Sequence, residues 1–175
     1  KITEERILIA GSGGQGVLLI GKMLASSIID SVEHVTFFPS YGAEVRGGVS
    51  SCQLVLSSRE IASPVSESFD TMILMNQSSF DRYIKRAADG CLIITNSSLC
   101  KAGSSLNVKE IPASDISNKM GATRAANFVL LGAYIARKRK NIVSIVENRI
   151  NEMFRHKDKA HGEINVQAFR TGLTL

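Results

Sequence analysis

The chain has 175 residues, of which 44% are hydrophobic, and its formal net charge is +5. This length suits one domain with a buried core, and the composition excludes a disordered or fibrous chain. No apolar run approaches the roughly 20 residues of a membrane-spanning helix, and no basic-then-apolar leader is visible, so we expect a soluble, cytoplasmic protein without membrane contacts.

Strands and helices alternate through the first two thirds of the chain. Apolar periodicity and turn residues predict, in chain order, a buried strand at 6–10, a helix at 17–30, strands at 35–38, 50–56 and 72–75, a helix at 78–88, and strands at 91–95 and 106–111. Pro39 is expected to end the second strand, and Asp89-Gly90 the second helix. The alternating polarity of residues 50–56 predicts a strand near a sheet edge or in an antiparallel pair.

The last third is predicted to be helical. Apolar residues recur at helical spacing over 122–139 and 142–154, and His161-Gly162 is expected to break the chain before a short closing segment. Strands with continuous apolar runs, each followed by a helix, predict a sheet covered on both faces. The fold class is therefore α/β: a single domain over residues 1–175, three-layer α/β/α, with a mostly parallel Rossmann-like sheet, some antiparallel pairing and a helical C-terminal third.

Charge and cysteine patterns point away from nucleic-acid and metal sites. Residues 91–175 hold 13 Lys/Arg and 6 Asp/Glu, but neither interleaved aromatic residues nor a nucleic-acid recognition motif accompanies them. We therefore predict that the basic residues form a solvated face or a surface for an acidic partner, and that the chain does not bind nucleic acid. Cys52, Cys91 and Cys100 form no C-x-x-C motif, and the histidines lack metal-ligand spacing, so no metal ligand is assigned.

The stretch GSGGQG follows the first strand and precedes the first helix. It satisfies G-x-G-x-x-G, in which glycines allow backbone N–H groups at a helix N-terminus to face an anion. A dinucleotide site also needs an acidic residue at the end of the second strand, where this chain has Phe37-Phe38-Pro39-Ser40. No Lys-Ser or Lys-Thr follows the glycines, so a P-loop is excluded. Anion binding and simple helix–sheet packing both remain open.

A second glycine-rich loop, PSYGAEVRGG at 39–48, follows the second strand. If the first two strands are parallel, both loops lie at the same end of the sheet, where doubly wound folds bind ligands. Arg46 can grip a phosphate or carboxylate with two hydrogen bonds, and Glu44 can orient it. A surface salt bridge is the alternative.

These two loops, together with SPVSESFDTMILMNQSSFDRY and RAANFVLLGAYIA, resemble the gamma subunit of 2-oxoacid:ferredoxin oxidoreductases. The resemblance covers nearly the whole chain, and the motifs occur in the same order. The chain is also similar to the corresponding domain of the fused pyruvate enzymes. It implies oxidative decarboxylation of a 2-oxoacid to an acyl-CoA with reduction of ferredoxin. The second loop is more similar to that of the 2-oxoglutarate and ketoisovalerate enzymes, with pyruvate also possible; we expect 2-oxoglutarate.

The resemblance also implies how the work is divided within a hetero-oligomer. Alpha, beta and delta-type subunits would carry thiamine diphosphate, magnesium and the iron–sulfur clusters, whereas this chain would help to bind coenzyme A, would contact ferredoxin only through the complex, and would be inactive alone. No catalytic residue is assigned to it. The cofactor-binding residues carried over are Gly11, Ser12, Gly13, Gly14, Gln15, Gly16, Ser40, Tyr41 and Arg46. The fused relatives have lysines where Glu44 and Val45 stand, so phosphate pairing through the second loop would depend on Arg46.

Two other hypotheses remain. The chain could be a free-standing Rossmann-like protein with NAD or a similar nucleotide on the glycine loop, against which the missing acidic residue argues. It could also be a structural domain whose loops only pack. Asn127 is expected to form a hydrogen bond between helices or at an interface, and Asn76 and Gln77 follow a strand end near the possible ligand crevice.

Overall fold

The computed structural model describes residues 3–40, 48–103, 107–155 and 159–175. Within them, six strands form one sheet in the order β2-β3-β1-β4-β5-β6. The strands are β1 (Glu4–Ser12), β2 (His34–Ser40), β3 (Val49–Ser57), β4 (Phe69–Leu74), β5 (Ala87–Asn96) and β6 (Val108–Ile111).

The sheet combines a parallel half with an antiparallel half. β1, β4, β5 and β6 are successively parallel, whereas β3 lies between β2 and β1 and is antiparallel to both. The antiparallel pairing predicted for residues 50–56 is therefore confirmed. Because β3 runs against both of its neighbours, β1 and β2 point in the same direction and end at the same edge of the sheet.

Helices cover both faces of this sheet, which confirms the predicted three-layer α/β fold. The α-helices of the described ranges are α1 (Val17–Ile28), α2 (Gln77–Tyr83), α3 (Ala113–Lys119), α4 (Ala126–Lys138), α5 (Val143–Phe154) and α6 (Lys159–Leu173). α1, α4, α5 and α6 share one core with Ile7 and Ile9 of β1, while α2 packs with Leu8 and Ala10 on the opposite face. The alternating side chains of β1 thus serve two separate cores. No helix in the described ranges is both long and apolar enough to cross a membrane.

Helix α1 forms because its apolar side chains recur every three or four residues. Ile20, Leu24 and Ile28 are buried along one side of the helix. Gly21 allows this side to approach the sheet closely, since a Cβ there would collide with the sulfur of Cys52 in β3. The start of α1, and with it the glycine loop, is therefore held firmly against the sheet.

Two predicted boundaries in the first half are wrong. β2 does not stop at Pro39 but continues to Ser40, which is possible because β2 is an edge strand and needs no N–H donor on its free side. The helix predicted at 78–88 ends at Tyr83, a short 3₁₀ turn follows at Ile84–Arg86, and β5 already begins at Ala87. Asp89 and Gly90 therefore lie within β5, but in the irregular stretch between its paired residues Ala87 and Leu92, where Gly90 keeps the left-handed φ of 75° that is typical of a turn.

The C-terminal third is helical, as predicted, but the expected break at His161-Gly162 is wrong. α6 runs through both residues and buries Ala168 and Phe169. A glycine costs a helix only about 1 kcal/mol, so the packing of α6 against α4 outweighs it. The short helix α3 was not predicted, because its seven residues offer too few apolar positions for a periodic pattern.

Candidate functional site

The glycine loop lies where the chain changes direction across the sheet. β1 leads through α1 towards β2 on one side, while its parallel neighbour on the other side is β4. α1 and α2 follow these two adjacent strands and lie on opposite faces. In doubly wound folds such a switch point opens a crevice beyond the carboxyl ends of the strands, and ligands bind there.

Two left-handed glycines shape the loop. Gly14 has φ 84° and Gly16 has φ 75°, values that side-chain-bearing residues rarely adopt. Between them, the N–H of Gln15 donates to the carbonyl oxygen of Ser12 at 3.2 Å, which closes a tight turn. Gly16 is the N-cap of α1 and has no side-chain cap, so the first turn of the helix presents backbone N–H groups towards the crevice.

A polar network ties the loop to the end of β4. Oε1 of Gln15 accepts hydrogen bonds from the N–H of Ser12 at 2.6 Å and from Nδ2 of Asn76 at 3.2 Å. Asn76 also donates to Oγ of Ser12, while its own Oδ1 accepts from the N–H of Ser79 at 2.9 Å and caps α2. Asn76 therefore does lie at the crevice, whereas Gln77 contacts the backbone of Lys101.

The second loop begins and ends beside the first. Ser40, at the end of β2, and Ala10 of β1 both pair with Ser51 of the intervening β3, so the two loops leave the same edge of the sheet, two strand spacings or roughly 10 Å apart. The N–H of Gly13 donates to the carbonyl oxygen of Gly48 at 3.2 Å. Tyr41 and Arg46, like Glu44 and Val45, fall outside the described residues, so their part in the site remains a prediction.

An open cleft of about 260 Å³ lies beyond the ends of β1, β4 and β5. It brings Gly14 and Gln15 of the predicted site together with residues that were not predicted, whereas Ser40 does not line it. The lining side chains and backbone belong to Gly14, Gln15, Met75, Asn96, Leu99, Ser114, Thr123, Arg124, Ala126, Asn127 and Leu130.

Three lining residues that were not part of the predicted site, Asn96, Ser114 and Asn127, lie at the ends of elements. Asn96, almost fully buried at the end of β5, donates from Nδ2 to Oγ of Ser114 at 2.8 Å and accepts from its N–H at 3.2 Å. Asn127, in the first turn of α4, is also buried, and its Nδ2 lies 3.5 Å from the carbonyl oxygen of Gly16. This contact joins α4 to the start of α1. It agrees with the hydrogen bond between helices that was predicted for Asn127.

Arg124 gives the cleft its charge. It is exposed, it lies just before α4, and no carboxylate pairs with it within the described part of the chain. Among the described residues, the cleft lining contains no Asp or Glu, while Gln15, just before α1, and Asn127, in the first turn of α4, place the positive ends of both helix dipoles near it. The arrangement can bind an anion. The sequence signal was the motif RAANFVLLGAYIA, which begins with this arginine.

The geometry disfavours a dinucleotide. The strand whose terminal acidic residue would take the ribose hydroxyls should lie beside β1, but β3 separates β1 from β2, and β2 ends in Pro39-Ser40. The inner N–H groups of the loop, on Ser12 and Gly13, already have acceptors. What remains for a ligand is the outer half of the loop and the first turn of α1.

The cysteines are placed as core residues. Burial raises the pKa of Cys52 to about 12 and is the main reason that the pKa values of Cys91 and Cys100 rise to about 11. Cys52 and Cys100 lie in the cores on opposite faces of the sheet. These three thiols therefore do not fit the ligand set of an iron–sulfur cluster, and within the described residues no three His, Cys, Asp or Glu side chains are grouped as metal ligands.

Solved structures share this fold. The 2-oxoglutarate:ferredoxin oxidoreductase of Magnetococcus marinus, determined with 2-oxoglutarate, coenzyme A and succinyl-CoA bound, superposes with a TM-score of 0.85 at 22% identity over 99% of this chain and 31% of that chain. The gamma subunit of the keto/oxoacid ferredoxin oxidoreductase of Geobacter sulfurreducens has a TM-score of 0.77 at 24% identity, covering 97% of this chain and 96% of that one.

Sequence comparison finds relatives of higher identity than these solved structures. The chain is 40% identical to ketoisovalerate oxidoreductase subunit VorA of Methanothermobacter thermautotrophicus over 137 residues, which are 78% of this chain but only 29% of that protein. It is 30% identical to 2-oxoglutarate synthase subunit KorC of Archaeoglobus fulgidus over 173 residues, 98% of this chain and 88% of that one. The chain thus spans less than a third of VorA and nearly all of KorC.

The family model for pyruvate ferredoxin/flavodoxin oxidoreductase matches residues 6–175. This match and the full-length similarity to KorC confirm the resemblance that the two glycine-rich loops and the two further motifs indicated. The chain therefore belongs to the pyruvate ferredoxin/flavodoxin oxidoreductase family.

Proposed function

We propose that this chain is the gamma component of a multi-subunit 2-oxoacid:ferredoxin oxidoreductase, which converts a 2-oxoacid to an acyl-CoA and reduces ferredoxin. The observation that carries the proposal is the 30% identity to KorC over almost the full length of both chains, since it compares this chain with a whole subunit rather than with part of a larger protein. Alpha, beta and delta-type subunits would supply thiamine diphosphate, magnesium and the clusters.

The part assigned to this chain is the anionic end of coenzyme A. The cleft is open, has no acidic side chain among its described lining residues, and is lined by Arg124 and by the outer half of the glycine loop. Phosphates suit such a site because oriented N–H groups and a guanidinium bind their oxygens well. Arg124 would supply a cation that this chain lacks at Glu44 and Val45. Ser40, Tyr41 and Arg46 would contribute from the second loop.

The 2-oxoacid we propose is 2-oxoglutarate, in line with the full-length match to KorC. A branched-chain oxoacid is the second candidate, because the identity to VorA is higher, at 40%, although over a smaller part of the chain. Substrate contacts would come mainly from the thiamine-bearing subunits, so the choice has to be tested on the whole complex.

The test is to purify the tagged chain with the subunits encoded beside it and to follow ferredoxin reduction by absorbance. We expect reduction that requires both coenzyme A and a 2-oxoacid, with 2-oxoglutarate giving the highest kcat/KM in a panel that includes 2-oxoisovalerate and pyruvate. The chain alone should be colourless and inactive. Purification without partners, combined with micromolar binding of NAD, would instead favour a free-standing nucleotide-binding protein.

A further inference from the structure

The side chain of Gln15 folds back over its own loop. Its Oε1 would lie 2.7 Å from a Cβ built on Gly11, so the amide occupies the space that this glycine leaves open. The same atom accepts from the N–H of Ser12 at 2.6 Å. An oxygen in this position, bonded to a loop N–H, is where a phosphate oxygen would lie in an open glycine loop.

The orientation of this amide is fixed by its neighbours. Asn76 must direct Oδ1 towards the N–H of Ser79, because that hydrogen bond caps α2, and its Nδ2 therefore donates in the other direction, to Gln15 and Ser12. Two donors thus converge on one atom of Gln15, which must be its oxygen. Nε2 of Gln15 has no acceptor in the described ranges, and the residue lines the cleft.

We propose that Gln15 is a specificity-determining residue, a built-in acceptor that closes the inner half of the glycine loop and offers its Nε2 to the ligand in the outer half. A pyrophosphate lying across the loop, as in a dinucleotide site, would need the N–H of Ser12 and the space above Gly11, and both are already taken. A single phosphate group, such as the ribose 3′-phosphate of coenzyme A, can approach Gly14 and the first turn of α1 without this obstacle, whereas the pyrophosphate of coenzyme A would have to lie outside the inner half of the loop. The inference rests on the proposed function only for the identity of that phosphate.

The assembled complex provides the test. Gln15→Ala removes the built-in acceptor and frees the N–H of Ser12, so inorganic pyrophosphate and ADP should bind about tenfold more tightly than to the wild type, as measured by calorimetry. Gln15→Glu keeps an oxygen for Ser12 and Asn76 but replaces the outward donor with a negative charge. It should show no gain for pyrophosphate, and it should raise the KM for coenzyme A about tenfold with little change in kcat.

Two further variants separate this role from general stability. Asn76→Ser keeps an oxygen that can cap α2 but removes the amide donor to Gln15 and Ser12 without adding a charge, so it should release the Gln15 amide and increase pyrophosphate affinity as Gln15→Ala does. Gln77→Ala, one residue further on, changes a side chain that contacts Asp81 and Lys101 and should leave both ligands unaffected.

An unchanged pyrophosphate affinity in both Gln15→Ala and Asn76→Ser would overturn the proposal, and so would an unchanged KM for coenzyme A in Gln15→Glu. If the complex proved to have no 2-oxoacid oxidoreductase activity, the proposed function would fail, while the pyrophosphate titrations would still decide the role of Gln15.

Discussion

Gly13 donates its backbone N–H to the carbonyl oxygen of Gly48 at 3.2 Å. These residues belong to the two glycine-rich loops, 35 positions apart in sequence, and the hydrogen bond joins them at the carboxyl edge of the sheet. It exists because β3 turns back between β1 and β2, so the end of the second loop, which leads into β3, arrives beside the end of β1. The hydrogen bond thus ties the glycine loop to the start of β3.

Gly16→Ala should destabilise the protein. The residue has φ 75°, and its new Cβ would overlap the side-chain amide of Asn127, so we expect the free energy of unfolding to fall by about 2 kcal/mol. Gly13→Ala is the matched control, because no atom lies within 4 Å of a Cβ there and its φ is not positive. Urea unfolding measures both variants. Equal midpoints would show that Asn127 does not hold the start of α1.

Arg124→Gln should weaken binding of coenzyme A in the complex. The change removes the one charged side chain that the cleft lining contains in the described residues, so KM for coenzyme A should rise about tenfold or more with kcat little affected. Arg124→Lys should recover part of the loss, because it restores charge without the two-pronged geometry.

The control for Arg124 is Lys138→Gln, which removes the same charge at the far end of α4, roughly 18 Å along the helix. It should leave KM unchanged. If instead Arg124→Gln raised the KM of the 2-oxoacid, the guanidinium would bind a carboxylate rather than a phosphate. Equal KM values for both substrates in Arg124→Gln and the wild type would remove Arg124 from the site.

The sequence predicted the order of most elements and the location of the glycine loop, because those features depend on local periodicity and on turn residues. It did not predict the partners of Gln15, Asn76 and Asn127, since these contacts join segments about 60 to 110 positions apart. The same limit applies to Gly132, at which a Cβ would collide with the carbonyl oxygen of Phe169. Gly132 is visible in the motif RAANFVLLGAYIA, but the need for a glycine there follows from the close crossing of α4 and α6, which the sequence does not reveal.

The contacts of charged residues are equally hard to predict from sequence, as the basic run RKRK at 137–140 shows. Arg137 lies in the last turn of α4 and donates to the carbonyl oxygen of Ala133 at 2.7 Å. Arg139, however, turns inward to Glu5. The sequence indicates an excess of positive charge at this helix end, but it does not show which of the basic residues form a buried ion pair.

The thiols should make the fold less stable at alkaline pH. Burial raises the pKa of Cys52 to about 12, against about 8.5 for an unfolded thiol. In the folded state Cys52 therefore stays protonated to a higher pH than in the unfolded chain. Its contribution to the free energy of unfolding is complete below pH ~8.5 and is lost as the pH rises towards the pKa of the folded state, about 12. At pH 8 the native thiols should react slowly with an aromatic disulfide reagent, whereas the unfolded chain should titrate three thiols rapidly. Fast native labelling of Cys52 would contradict its burial.

Arg139 and Glu5 form the ion pair whose loss should be most costly. Glu5 is 6% exposed and also accepts from Oγ1 of Thr71 at 2.8 Å. Arg139→Met would leave this carboxylate buried without its cation, which should reduce the free energy of unfolding by about 3–5 kcal/mol. Arg6→Met breaks the exposed pair with Glu4 and should cost less than about 1 kcal/mol.

The double variant Glu5→Gln, Arg139→Met decides whether charge is the cause. Because it leaves no unpaired ion in the interior, it should be more stable than Arg139→Met alone, as measured by urea unfolding at neutral pH. The neighbouring Tyr134 cannot replace the lost cation, because a phenol is either neutral or anionic; burial, and next to it the charge of Glu5, raises the pKa of its hydroxyl and keeps it neutral. If the double variant were as unstable as Arg139→Met, the loss would come from the packing of the arginine side chain and not from the stranded carboxylate.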